Sequence, residues 1–64
     1  MSDLTLSPNI AKPDDFYAEL LAAHEPLSKD QSDALNARLL LVLANHIGDR
    51  DVLSAAIEAA RPKA

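Results

Sequence analysis

An all-α fold, a compact three-helix up-down bundle with an extended N-terminal arm, is what this sequence predicts, and three observations predict it. Pro13, Pro26, Pro62 and the single Gly48 divide the chain into three segments of helical length joined by short connections. Within those segments the apolar residues recur at three- and four-residue spacing, which is the period of a helix. The apolar residues are mainly Leu, Ala, Ile and Val, with Phe16 and Tyr17 the only aromatics, a composition that suits helices better than a sheet.

Residues 1–12 read as an arm, and 13–64 as the helical domain. In the arm, Leu4, Leu6 and Ile10 are separated by Ser7-Pro8-Asn9, which predicts extended chain with a turn. Its alternating leucines, Leu4 and Leu6, can dock on a helical surface; the alternative is a partly frayed tail. Helix one is expected over about 13–24. Proline suits the first helical turn, and Asp14 and Asp15 complement the positive end of the helix dipole. Phe16, Tyr17, Leu20, Leu21, Ala23 and His24 share one face of it. Pro26 should end it, because the residue before a proline resists the α conformation.

Helix two is expected over about 29–47. Ser28 with Gln31 three residues on matches a capping box, in which each side chain satisfies the other residue's free backbone amide. Gly48 supplies the left-handed position that closes a helix. Asp49 can then cap helix three, about 50–61, with Val52, Leu53, Ala56, Ile57, Ala59 and Ala60 on one face. Its alanines permit close backbone approach, so tight packing on helix two is expected. Short connections favour antiparallel neighbours.

Sixty-four residues make one domain of marginal stability, burying about 60% of the surface of the unfolded chain. There is no cysteine, hence no disulfide, thiolate nucleophile or Cys-based zinc site. Ten acidic against six basic side chains give a net charge of -4, without the basic footprint that nucleic-acid binding requires. No apolar run suits a signal-peptide core or a membrane span, so a cytoplasmic location is expected.

The most informative stretch is Arg38 to Asp49. With Leu35 as origin of a helical wheel, Leu39, Val42 and Leu43 cluster around it, with Leu40, Ala44 and Ile47 beside them. Leu41 falls on the opposite side. The apolar arc exceeds half the circumference, wider than the stripe of a surface helix in a monomer. An interface is therefore expected at Leu4, Leu6, Leu40, Leu41 and Ala44, with a second copy or another protein as partner. The alternative is that helices one and three and the arm cover helix two completely.

Asn36, Arg38, Asn45 and His46 lie in or beside that arc, where burial would leave donors in need of partners. They form the candidate polar cluster, either satisfied locally or contacting a ligand, and Arg38 can pair with Asp14 or Asp15. His24 and His46 stand at the ends of successive helices, about 30 Å apart in an up-down arrangement, so one chain cannot bring both to one metal ion. Both suit the negative end of a helix dipole. Catalytic, cofactor-binding and metal-ligating residues are assigned to none: the acidic pair reads as a helix start, one glycine makes no phosphate-cradling loop, and no nucleophile turn surrounds a serine.

Pro8-Asn9-Ile10, Asp14-Asp15-Phe16-Tyr17 with Leu20 and Leu21, and Leu27-Ser28 carry a family resemblance, as do Ala34-Leu35-Asn36-Ala37-Arg38-Leu39 and Ala44-Asn45-His46-Ile47-Gly48-Asp49. Together they span nearly the whole chain, which resembles the short bacterial proteins grouped as domain of unknown function 2783. The resemblance carries no assigned activity. It implies an accessory role beside a flavin-dependent oxidoreductase of aromatic breakdown. The expected function is a non-enzymatic helical interaction module, a homo-oligomer or accessory subunit of a bacterial metabolic enzyme. A small-molecule or metal-binding module built on Asn36, Arg38, Asn45 and His46 is the alternative.

Overall fold

Three helices in succession carry the chain: α1 at Pro13–His24, α2 at Lys29–Ile47 and α3 at Arg50–Ala60. The structure, a computed structural model, describes residues 3–63; residues 1, 2 and 64, the outermost parts of the expected arm and helical domain, lie outside the described residues. Among the described residues there is no strand, and the class is all-α.

Each helix end has a local cause. Ahead of α1, Lys12 adopts the left-handed conformation, φ 53° and ψ 60°. The following Pro13 disfavours the right-handed α region at that position. The left-handed turn lets the Lys12 carbonyl accept from the Asp15 amide at 3.1 Å and the Phe16 amide at 3.3 Å, since no side chain caps this helix. At the other end the expectation needs correction. Glu25 precedes Pro26 yet is right-handed, φ -53° and ψ -46°, and its amide still reaches the Leu21 carbonyl at 3.0 Å. The helix stops because Pro26 has no amide hydrogen to continue the ladder, and the Leu27 amide turns back to the His24 carbonyl at 2.9 Å.

The α2 start is the reciprocal capping box: the Gln31 amide donates to Ser28 Oγ at 3.2 Å, and the Ser28 amide donates to Gln31 Oε1 at 3.0 Å. Gly48 closes the helix at φ 71°, donating its amide to the Ala44 carbonyl at 2.9 Å. One residue later, Asp49 caps α3 through Oδ1, which accepts from the Asp51 amide at 3.0 Å and the Val52 amide at 3.1 Å. Exit from α2 and entry to α3 thus occupy two consecutive residues.

Packing between the helices is slight. No described residue is buried. The half-covered side chains are Leu20 and His24 of α1, Ser32, Ala34, Leu35, Leu39 and Ala44 of α2, Val52, Leu53 and Ala56 of α3, with Leu4, Leu27 and Asp49 outside the helices. The radius of gyration is 13.7 Å, against about 10.7 Å for a compact domain of this length. The chain exposes 5945 Å², against roughly 4,000 Å² for a folded monomer of 6.9 kDa. The all-α class is as expected, and no closed core is buried among the described residues. Among the described residues α2 and α3 make the most extensive helix contact, and it is limited: Ala55, Ala59 and Ala60 remain exposed rather than packed tightly against α2. Alanine permits close approach but offers too little apolar area to enforce it. No helix of the described residues is long and apolar enough to cross a membrane.

Candidate functional site

The C-terminal half of α2 carries the most exposed apolar surface in the structure. Leu40 is 68% exposed, Leu41 66%, Val42 63%, Ile47 50% and Leu43 49%. Turned inward are Leu35 and Leu39, one helical turn apart and half-covered. Val42 and Leu43, which the wheel groups with Leu35, are mostly uncovered. On α1 the same holds for Phe16, 45% exposed, and Leu21, 51%, on either side of half-covered Leu20. Apolar side chains left in water at this density are those an association would cover.

Of the expected interface residues, Leu40 and Leu41 lie fully on this surface and Ala44 is half-covered within it. In the arm, Leu4 is half-covered while Leu6 is 77% exposed, so the pair does not dock together. Val42, Leu43 and Ile47, which belong to the same wide apolar arc, are not among the expected interface residues. The signal that these too are available was the chain length, since two short neighbours cannot cover a 19-residue helix that is apolar on most sides.

The candidate polar cluster is exposed throughout: Asn36, Arg38, Asn45 and His46 all face solvent. Their burial does not occur, because packing on α2 half-covers Leu35, Leu39 and Ala44 and does not extend to these four side chains. No buried polar side-chain atom among the described residues lacks a partner. Among the described residues Arg38 forms no ion pair with Asp14 or Asp15; Lys29 pairs instead with Asp33 at 2.8 Å and Arg61 with Glu58 at 3.2 Å, each within one helix end. His24 and His46 occupy the last turns of α1 and α2. Among the described residues no three His, Asp or Glu side chains come together as a metal-binding group.

Arg38 does line a depression of about 460 Å³, with Leu27, Asp30, Gln31, Ala34 and Leu35. Its walls come from the start of α2 and the residue before its cap, so it is an open groove along one helix and not a cleft between elements. Small-molecule sites usually enclose most of the ligand. This one holds a ligand from one side only.

No curated protein and no solved structure matches the chain. The pattern spread from the arm through α3 does have a match, since the family described as Protein of unknown function (DUF2783) covers residues 4–62. The chain belongs to that family.

Proposed function

We propose that this chain is a non-enzymatic helical interaction module, working in the bacterial cytoplasm as a homo-oligomer or as an accessory subunit of a metabolic enzyme. The flavin-dependent oxidoreductase implied by the family resemblance is the candidate enzyme partner. One observation carries the reading: the chain exposes 5945 Å², about 1,900 Å² beyond a folded monomer of its mass, and leaves five large apolar side chains of α2 uncovered between residues 40 and 47. Monomeric proteins rarely expose contiguous apolar patches beyond a few hundred Å². Association removes that surface from water and supplies the core the single chain lacks.

The ligand-binding alternative on Asn36, Arg38, Asn45 and His46 has no specific observation in its favour. The experiment that tests the interaction reading is sedimentation equilibrium of the purified chain, alone and with the candidate oxidoreductase. A self-associated species, or a stable complex with the enzyme, is expected. A monodisperse monomer that unfolds cooperatively and binds no partner would remove the basis for it.

A further inference from the structure

We infer that the occupant of the uncovered side of α2 is a second copy of this chain, seated on Leu40, Leu41, Leu43, Ala44 and Ile47. The inference rests on the interaction-module reading above and names its partner. At about 100° per residue, those five positions fall on one continuous arc of roughly 160°. Exposure is greatest at Leu40 and Leu41 and falls to about half at Leu43 and Ile47. Ala44, half-covered and small, sits within the arc and lets a facing helix approach closely.

Area points to a copy. A standard stable interface buries about 800 Å² per partner, and the surplus over the whole chain, of which the α2 arc is one part, is about 1,900 Å². Obligate homodimers remove surface of this kind, since their interfaces resemble a domain core cut in half. A two-fold dimer uses the same patch on both subunits, so the patch must complement itself. An aliphatic face does so without any matched chemistry on another protein.

Charge agrees with this placement. With a net charge of -4, two copies repel wherever their carboxylates meet. Ala34 to Gly48 is the longest stretch of the sequence without Asp or Glu. The apolar arc falls inside it, so the arc itself places no acidic group against its copy.

Folding and dimerisation are then one reaction. Thermal unfolding of the full chain, followed by circular dichroism across a hundredfold range of dilution, tests this. For two 64-residue chains unfolding together, the midpoint should fall by about 5 °C per tenfold dilution. A second measurement locates the contact. The native chain has no cysteine, so Leu43→Cys, at the edge of the arc and midway along its length, and Ser54→Cys, exposed on α3, are each treated with a short bismaleimide. A covalent dimer should form with Leu43→Cys and at least tenfold less with Ser54→Cys. A cooperative midpoint independent of dilution would overturn the dimer, and the interaction reading falls with it only if sedimentation equilibrium also shows no complex with the oxidoreductase. A midpoint that falls without preferential cross-linking at Leu43→Cys puts the contact elsewhere, overturning this face alone. A chain that folds only when an enzyme partner is added overturns the second copy and leaves the accessory-subunit reading in place.

Discussion

Truncating Leu40 to alanine separates a side chain that functions in water from one that is covered by association. Leu40 leaves 68% of its surface exposed in the single chain. If that were its working environment, Leu40→Ala would change stability by less than about 0.5 kcal/mol, the usual range for surface substitutions. Helix propensity would even favour alanine slightly. Covering a whole leucine contributes about 1.5–3 kcal/mol, so covering the remaining two-thirds contributes about 1–2 kcal/mol per chain. In a dimer the loss occurs twice, about 2–4 kcal/mol. At about 2.1 cal/mol/K per residue over two chains, the melting midpoint should drop by about 7–15 °C at fixed protein concentration. The dissociation constant should rise by about 30- to 900-fold. Circular dichroism melts and sedimentation equilibrium on wild type and variant read the two quantities independently. A midpoint within about 4 °C of wild type, with unchanged sedimentation, would refute the reasoning, because it would mean that Leu40 stays in water in the working protein.

Three further outcomes concern the helix ends. Ser28→Ala should lose about 1 kcal/mol in urea denaturation, and in a double-mutant cycle with Gln31→Ala the losses should be non-additive, because the two hydrogen bonds form one reciprocal pair. Gly48→Ala should lose about 1 kcal/mol from the backbone alone: φ is 71°, while an added Cβ would meet only the Asn45 carbonyl oxygen at 3.7 Å, an ordinary contact. Gly48→Asn, which tolerates that conformation better, should lose less, and equal losses in denaturant would argue against a conformational origin. Lys12→Gly should add up to about 1 kcal/mol of stability in urea denaturation by relieving left-handed strain; a loss would show that the Lys12 side chain matters more than its φ of 53°.

The helix ends were legible in the sequence because each is decided within four residues. Ser28 needs only Gln31 to close its box, and Asp49 needs only the amides of Asp51 and Val52. Lys12 was not legible: nothing in a lysine announces a left-handed φ, which follows from the proline after it and the absence of a side-chain cap. Glu25 shows the converse, since a local preference against the α region before Pro26 yields when the amide of Glu25 can still bond to the Leu21 carbonyl. The candidate site depends on longer-range facts. Asn36 and His46 fall within the apolar arc of the wheel, yet both are exposed while Leu35 is half-covered, because sharing an arc does not set how far each side chain is covered. Leu43 makes the same point from the apolar side. Its place near Leu35 marks it for burial, and its 49% exposure in the single chain is no contradiction. A hydrophobic pattern specifies that a side chain is to be covered, and it carries no record of which chain does the covering. For a domain whose surface exceeds that of a folded monomer by nearly half, that missing piece of information is what the proposed association would supply.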